Sequence, residues 1–329
     1  MAIEIIAEAA QGYEGDPTLA RLLARAAVRT GADAVKFQLV YADEIATPDY
    51  PYYTLFRRLE MPREVWTSVV RSVHEAKARC YLDVFGERSL REAHALGVDG
   101  VKIHSTDFFN APLVDLALEL MDRVFVSLGG ISVEELEAFL HRHRIAPAGP
   151  VCLLYGFQAD PTPVEQNNLL RLGVLRARFP DYRFGFMDHT EGSTEEAMTL
   201  PLLVLPCGVC CIEKHISLDR SLELEDVVSA LSPQQFQAFV RSIRRHEQAL
   251  GTDQIELTAT ERAYRQKAVK AVVAHRALKR GHVLSAQDVC LKRSSRADGT
   301  ACHLLEDVVG RTVTVDVESN QPLTKEMLT

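Results

Sequence analysis

Two short apolar segments of the chain each end in a histidine close to an acidic residue. One reads Gly185-Phe186-Met187-Asp188-His189-Thr190 and the other Ile212-Glu213-Lys214-His215. If both segments are parallel strands of one sheet, the histidines emerge at the same edge, where two imidazoles can bind a divalent metal ion. For either histidine alone, a buried structural role is the commoner explanation. The assignment of His189 and His215 as metal ligands therefore depends on the rest of the chain.

The composition is that of an ordinary globular protein, long enough for one barrel-sized domain and a small second one. The chain has 329 residues, of which 47% are hydrophobic and 25% charged, with a formal net charge of -8. No basic block is visible, so we expect no binding to nucleic acid or to anionic membranes. Glu4 and Glu8 interrupt the first apolar run, and no segment is long and apolar enough to cross a membrane. We expect a cytoplasmic protein.

Seven cysteines are scattered along the chain. Cys207-Gly208-Val209-Cys210 matches C-x-x-C, but no second pair follows at the spacing of a zinc site. Cys207, Cys210 and Cys211 lie in or beside an apolar run. We expect free, buried thiols in a reducing compartment.

Short apolar segments alternate with amphipathic helical segments eight times in the first part of the chain. The predicted strands are Ile3–Glu8, Ala34–Gln38, Cys80–Phe85, Gly100–His104, Val124–Ser127, Val151–Tyr155, Arg183–Met187 and Gly208–Lys214. Apolar strands of this length are typical of a parallel sheet covered by helices, and eight such units in about 250 residues predict an α/β (β/α)8 TIM barrel. A doubly wound open sheet fits less well, because no G-x-G-x-x-G follows the first strand.

The sequence changes character after Leu250-Gly251-Thr252. Glu256 to Lys270 is a charged segment that predicts a connecting helix. Three short β-like runs follow, at 271–275, 289–292 and 312–315, separated by turn sequences. We therefore predict a barrel domain at 1–252, a linker helix at 253–270 and a small β-rich domain at 271–329, which is near the lower size limit for independent folding.

The residues that act on substrate in a TIM barrel lie at the C-terminal ends of the strands. The strand ends and following loops carry Glu8, Glu14, Lys36, Gln38, Asp83, Lys102, His104, Ser105, Asp107, Ser127, Gln158, Asp160, Asp188, His189, Glu213, Lys214 and His215. Lys36 and Lys102 each close an apolar run, and with neighbouring serines they would form a site for a phosphate or carboxylate. Alternatively, each lysine pairs with a nearby acid such as Asp33 or Asp107.

These motifs, in this order, resemble the sialic acid synthase family over nearly the whole chain. The matching segments are Ala7-Glu8 with Glu14-Gly15-Asp16, Gly31 to Gln38, Val101-Lys102-Ile103 with Ser105, Pro161-Thr162-Pro163, Gly185 with Asp188-His189-Thr190, and Ile212 to His215 with Leu218-Asp219-Arg220. The C-terminal segment resembles the SAF module (antifreeze-like, β-clip) that ends these synthases. Its Leu291-Lys292-Arg293 stands where the family has Val-Lys-Arg.

The resemblance implies a transferase that condenses phosphoenolpyruvate with an aldose or amino-sugar aldehyde. The products would be phosphate and a nonulosonic, sialic-acid-like 3-deoxy-2-keto sugar acid. His189 and His215 would bind Mn2+ or Mg2+. Lys36, Lys102 and the serines Ser105 and Ser127 would bind phosphoenolpyruvate.

The resemblance also implies roles for residues outside the phosphoenolpyruvate site. Glu14 would lie beside the reacting centre and, with Lys36, Lys102 and Asp226, make up the catalytic set. Asp107 and Asp226 would contact the acceptor sugar or metal-bound waters, and Gln158 and Asp160 would belong to the substrate side. Arg293 would reach across a domain-swapped homodimer into the partner's barrel.

Several positions depart from the family pattern, mostly on the acceptor side. Gly12-Tyr13 replaces Asn-His, and Asp160 replaces a tyrosine before the Pro-Thr-Pro motif. Asp83 places a carboxylate where a hydroxyl near the phosphate is expected, which is unfavourable unless the carboxylate turns away or meets a cation. We therefore leave the acceptor sugar open.

Two further hypotheses follow from the same residues. The first is a non-catalytic coat or polysaccharide-binding protein that has kept the fold, motivated by Asp83 and the missing Asn-His. The second is a reversible pyruvate-dependent aldolase, which needs a Schiff-base lysine or a metal enolate.

Overall fold

The computed structural model describes residues 2–159 and 161–329, so the predicted substrate residue Asp160 lies outside the described residues. The chain forms two compact units. The first ends at Gly251, and the second spans Thr252–Thr329. No described helix combines the length and apolar character needed to span a membrane.

The first unit is a closed barrel of eight parallel strands in sequential order. The strands are β1 (Glu4–Ala10), β2 (Ala34–Gln38), β3 (Arg79–Val84), β4 (Gly100–Ile103), β5 (Val124–Ser127), β6 (Val151–Tyr155), β7 (Arg183–Asp188) and β8 (Cys211–His215). Each strand pairs with the next, and β1 closes the barrel on β8. The predicted (β/α)8 barrel is confirmed, and the open-sheet alternative is excluded.

The strands are connected by helices. These helices are α1 (Pro17–Arg29), α2 (Ala42–Ile45), α3 (Tyr53–Leu59), α4 (Arg63–Glu75), α5 (Glu87–Leu96), α6 (Ala111–Leu120), α7 (Val133–Arg142), α8 (Leu169–Arg178), α9 (Glu196–Leu203) and α10 (Pro233–Glu247). Helix α1 shows how the sequence specifies them. Asp16 caps it by accepting hydrogen bonds from the Thr18 and Leu19 backbone N–H groups, Pro17 follows at the first position, and the apolar face is buried.

Strand alternation divides the barrel interior into an apolar layer and a charged layer. The apolar layer consists of the buried side chains Ile6, Ala34, Tyr81, Phe125, Cys152, Leu154, Met187 and Cys211. One alternation further along their strands come the charged side chains Glu8, Lys36, Asp83, Lys102 and Glu213, all buried. The apolar layer therefore supports a charged layer that lies toward the C-terminal ends of the strands.

The second unit contains helix α11 (Ala259–Ala268) and an antiparallel pair of strands, β9 (Ala271–Ala274) and β10 (Val289–Lys292). This sheet agrees with the predicted small β-rich domain. The third predicted run, 312–315, does not form a strand. Thr312 and Val313 make only isolated bridges, to Val283 and Leu328, because adjacent residues of this run pair with different segments.

Strand β8 begins at Cys211 rather than at the predicted Gly208. The preceding residues Leu205–Cys207 form a 3-10 turn, and Gly208 has a φ of 67°, which ends that turn in the left-handed region. Strand β1 is longer than predicted and continues to Ala10.

Candidate active site

Lys36 lies in the charged layer of the barrel with its side chain fully buried. Its Nζ contacts the carboxyl group of Glu8, lies 2.6 Å from Asp83 Oδ1 and is 3.4 Å from Glu213 Oε1. These groups come from four strands, β1, β2, β3 and β8. The register pairs Glu8 with Lys36, which explains why the two side chains meet.

Lys102 shares two of these carboxylates. Its Nζ donates to Glu213 Oε1 at 2.7 Å and lies 3.6 Å from Asp83 Oδ2. Asp83 therefore meets two cations, which is the condition under which a carboxylate is tolerated at this position. The network contains three carboxyl groups and two ammonium groups, so both lysines are paired with acids before any substrate binds.

The lysines are paired with acids, but not with those named from the sequence. Asp33 Oδ2 accepts a hydrogen bond from the Ile5 backbone N–H at 2.7 Å and also contacts Arg244. Asp107 Oδ1 accepts from Asn110 Nδ2 at 3.0 Å. Pairing with Asp33 or Asp107 was therefore the wrong alternative, because both carboxylates are taken up by local backbone or helix contacts.

The shared burial and charges shift the pKa values of the network. Burial raises the pKa of Glu8 from 4.5 to about 8, against the opposing charge of Lys36. Burial opposes ionisation of Glu213, but the charges of Lys102 and Lys36 outweigh it and hold its pKa below the ordinary value. Burial likewise disfavours the Lys36 ammonium, but Asp83, Glu213 and Glu8 hold its pKa well above the ordinary value. At neutral pH, Lys36 is charged and Glu8 carries a proton.

His189 and His215 lie next to each other at the ends of β7 and β8. Asp188 pairs with Lys214 in the strand register, and their side chains form a buried ion pair of 2.8 Å. The histidines follow at the same level, and their ring centroids are 5.1 Å apart. The His189 carbonyl accepts hydrogen bonds from the Thr162 backbone N–H at 3.0 Å and Ser229 Oγ at 2.9 Å.

The histidine pair has the properties of a metal-binding site. Burial is the largest cause and lowers the pKa of both rings. The positive charge of Lys102 lowers both further, whereas the negative charge of Asp226 opposes the shift at His215. Both rings are therefore neutral and able to bind a metal ion. His189 Nδ1 is buried and has no hydrogen-bond partner among the described residues. Within residues 2–159 and 161–329, no third His, Cys, Asp or Glu atom joins this pair in a compact ligand group. Water or substrate oxygens would have to complete the coordination.

The loops after β1 and β8 bring Glu14 and Asp226 to the mouth of the barrel. Asp226 Oδ1 accepts from Gln158 Nε2 at 3.1 Å, and Glu14 Oε1 accepts from the Glu225 backbone N–H at 2.7 Å. Glu14 and Asp226 have φ values of 53° and 61°, an uncommon backbone conformation for residues other than glycine. The Asp226 charge acts on His215, which relates this loop to the histidine pair.

The remaining predicted residues are less closely grouped. Ser127 is buried at the end of β5, with Oγ 3.7 Å from Met187 Sδ. Ser105 and Asp107 form a 3-10 turn after β4, and the Asp107 carboxylate is directed to Asn110 and Thr106. Arg293 belongs to the second unit, is exposed and donates through Nε to the Ala268 carbonyl at 3.1 Å.

Comparison with known proteins assigns the family. The model of the NeuB family matches residues 23–255, and the model of the SAF domain matches residues 269–329. The chain belongs to the NeuB family. The resemblance to sialic acid synthases with a C-terminal SAF domain, drawn from the motifs, is thereby confirmed.

Relatives of this NeuB-family chain carry related names. An N,N'-diacetyllegionaminic acid synthase from Legionella pneumophila is 26% identical over 97% of this chain and 92% of its own. An N-acetylneuraminate-9-phosphate synthase from Homo sapiens is 26% identical over 98% and 92%, respectively. The crystal structure of an N-acetylneuraminic acid (sialic acid) synthetase from Leptospira borgpetersenii in complex with citrate has a TM-score of 0.74 and 25% identity, covering 82% of this chain and 93% of that one.

The pairing of Glu8 and Glu213 with the lysines of this NeuB-family barrel was not predicted from the sequence. Both acids were named as polar strand residues, but neither was paired with a lysine. The signal was available in the strand alternation, since Glu213 lies two residues before His215 and so faces the same interior. A hydrogen bond of 2.7 Å from Gln11 Nε2 to Gln38 Oε1, at the ends of β1 and β2, was also not anticipated.

Proposed function

We propose that the chain is a metal-dependent synthase that condenses phosphoenolpyruvate with an aldose or amino sugar, giving phosphate and a nonulosonic acid. The observation that carries the proposal is the position of two buried lysines beside a pair of neutral histidines at the C-terminal end of a NeuB-family barrel. The names of the relatives support the product class.

Lys36 and Lys102 would bind the phosphate and carboxylate of phosphoenolpyruvate, with Ser105 and Ser127 as further donors. The Asp83 carboxylate already neutralises part of the positive charge of the two lysines. An incoming anion is therefore attracted less strongly than it would be without that carboxylate. The proton on Glu8 lowers the negative charge of the pocket and so favours anion binding at neutral pH.

The reaction requires an enol carbon to attack an aldehyde, water to add to the resulting cationic carbon, and phosphate to leave. His189 and His215 would hold a divalent ion, Mn2+ or Mg2+, which would supply Lewis-acid polarisation of the aldehyde. The lysines would stabilise the departing phosphate. Glu8, whose pKa is about 8, can give or take a proton near neutral pH, and Glu14 would lie beside the reacting centre.

The acceptor would bind among the polar loop residues at the mouth. Gln158 and Asp226 already form one hydrogen bond there, and Gln11 and Gln38 form another. Amide and carboxylate groups of this kind suit the hydroxyl and acetamido groups of an amino sugar. An acceptor that carries both is therefore the class to test first.

The aldolase hypothesis is disfavoured by the charge state of Lys36. A Schiff base forms from a free amine, whereas the negative charges of Asp83 and Glu213 keep the Lys36 ammonium protonated at neutral pH. Borohydride trapping of pyruvate on either Lys36 or Lys102 would reverse this preference.

The direct test is release of phosphate from phosphoenolpyruvate by the full chain with Mn2+ or Mg2+ and a panel of N-acetylated amino sugars. We expect release only when an acceptor is present and expect a chelator to abolish it, with restoration by added metal. Phosphoenolpyruvate without sugar, and pyruvate with sugar, are the controls. Absence of release across the panel would favour the non-catalytic coat or polysaccharide-binding hypothesis.

A further inference from the structure

Three cysteines that are dispersed in the sequence meet near the N-terminal end of the barrel. Cys152 is the second residue of β6, Cys211 is the first residue of β8, and Cys210 immediately precedes it. Cys152 Sγ lies 3.3 Å from Cys210 Sγ and 3.7 Å from Cys211 Sγ. All three sulfur atoms lie within 4.8 Å of one another.

The contact between Cys152 and Cys211 crosses an intervening strand, because β7 lies between β6 and β8. Gly185 of β7 makes this possible. A Cβ atom at this glycine would lie 2.3 Å from Cys211 Sγ and 2.7 Å from Leu154 Cδ2. Because glycine has no side chain, Gly185 leaves the space in which the sulfur atoms meet.

The spacing of the sulfur atoms suits a shared metal ion. Thiolates bound tetrahedrally to Zn2+ at about 2.3 Å lie roughly 3.8 Å apart. A disulfide requires an S–S distance of about 2.05 Å and uses only two sulfur atoms. Here one sulfur atom has two sulfur neighbours at non-bonded distance, which is the arrangement of a ligand group.

Cationic side chains act on the sulfur atoms. The positive charge of Arg123 acts on both Cys152 and Cys210, and that of Arg183 acts on Cys210. The Arg123 guanidinium lies 4.9 Å from the centre of the Phe125 ring, on the strand next to β6. These cations would offset the negative charge of three thiolates around one ion. Cys210 is only partly buried, so an ion can reach the group from outside.

We propose that Cys152, Cys210 and Cys211 form a binding site for a thiophilic d10 ion, Zn2+ or Cu+, at the N-terminal end of the barrel. Soft thiolate ligands select these ions over Mg2+ or Mn2+. Binding displaces the remaining thiol protons into solvent. The ion cross-links β6 to β8 across β7, and a water molecule completes a tetrahedral Zn2+ site, whereas three sulfur atoms suffice for Cu+.

The test is a titration of the reduced, metal-free full chain with Co2+, which reports thiolate ligation through sulfur-to-metal charge-transfer absorption. We expect about one equivalent to produce these bands and Zn2+ to displace it. The Cys152→Ser and Cys210→Ser variants should lose the bands. Cys207→Ser, which removes the other half of the C-x-x-C motif, and the His189→Ala/His215→Ala double variant should retain them. Bands that persist in Cys152→Ser and Cys210→Ser would overturn the proposal, as would absent bands together with no protection of Cys210 by Cu+ in the alkylation experiment below.

A second measurement uses the unaltered chain and does not depend on the folding of a variant. Alkylation of Cys210, followed by mass spectrometry, should slow at least tenfold when Zn2+ is bound and recover when a chelator is added. The same protection by Cu+ but not by Zn2+ would assign the site to Cu+. Equal alkylation with and without both ions, or a Cys152–Cys210 disulfide in the isolated chain, would contradict a metal site.

Discussion

Lys36 is a fully buried cation whose charge is balanced by the acids around it. Glu8, Asp83 and Glu213 contact it from three other strands, and Lys102 shares two of them. Removal of a positive or a negative charge therefore changes the charge balance of a buried network that water cannot screen. This charge balance links the stability of the barrel to the anion binding proposed for it.

Replacing Lys36 by methionine should destabilise the chain by about 3–5 kcal/mol, because it leaves several buried carboxylates with only Lys102 as a counter-ion. Urea unfolding followed by circular dichroism measures the change. Glu8→Gln is the matched control, and it should cost clearly less because Glu8 is already uncharged at neutral pH. Similar free energies of unfolding for Lys36→Met and the unaltered chain would show that the network is not balanced as described.

The raised pKa of Glu8 predicts that stability falls as the pH rises. The folded chain keeps the Glu8 proton up to about pH 8, whereas the unfolded chain releases it near the ordinary value of 4.5. Between these values the folded state binds more protons, so the free energy of unfolding should decrease by up to about 1.4 kcal/mol per pH unit. Urea unfolding at several pH values should show this slope, and Glu8→Gln should remove it. An unchanged slope in Glu8→Gln would assign the effect to another group.

The same residues show how far the sequence could predict the site. The two lysines and two histidines were identified from their positions at strand ends, because strand alternation and the barrel rim restrict where such residues point. The partners of Lys36 were not identified, because its contacts depend on the register with the neighbouring strand β3, which carries Asp83, and on the closure of the barrel, which brings Glu213 of β8 close. Asp33 is near Lys36 in sequence but contacts Arg244 instead.

At the scale of elements, the strand centres were predicted and several ends were not. The centres follow from continuous apolar runs, which only a covered parallel sheet can bury. The start of β8 depends on how the Leu205–Cys207 turn ends at Gly208. The backbone conformation of that glycine cannot be predicted from the pattern of apolar residues. The run at 312–315 has strand-like composition but forms only isolated bridges, because its neighbours in space come from separate segments.

Gly185 of strand β7 is a position at which the tight packing of the barrel interior can be tested by substitution. Gly185→Ala should destabilise the chain by about 1–3 kcal/mol, because the added methyl group overlaps Cys211 Sγ and Leu154. The double variant Gly185→Ala/Cys211→Ala should recover part of this loss, as chemical denaturation would measure.

Gly173→Ala in α8 is the control for this packing prediction, since no described atom outside the backbone of its own helix lies within 4 Å of a Cβ atom there. It should be neutral or stabilise the helix by up to about 1 kcal/mol. A Gly185→Ala variant as stable as Gly173→Ala would contradict the close approach of the sulfur atoms across β7.

At the scale of the whole molecule, the division into a barrel and a small second unit was predictable from the sequence. The alternating strand and helix segments end where the barrel ends, and a charged helix and short β-like runs follow. The division falls between Gly251 and Thr252, and each unit has its own apolar core. The role of Arg293 depends on a second copy of the chain, which no pattern within one chain specifies. It stays a prediction from the resemblance to the synthase family.

The domain-swapped homodimer can be tested by complementation. Arg293→Ala and His215→Ala should each be inactive in phosphate release, for different reasons. If Arg293 acts in the partner's barrel, co-expression of the two variants should restore about a quarter of wild-type activity, as statistical pairing into dimers with one intact site requires. No recovery in purified dimers that contain one copy of each variant would show that Arg293 does not act in the partner.

The central claim is that the histidine pair and the lysine network form one metal-dependent active site. Its most direct test is to measure bound Mn2+ and phosphate release from phosphoenolpyruvate in the same samples of the unaltered chain, His189→Ala and His215→Ala. Both variants should lose metal and turnover together while their circular dichroism spectra remain unchanged. Turnover that persists in both variants would contradict the claim.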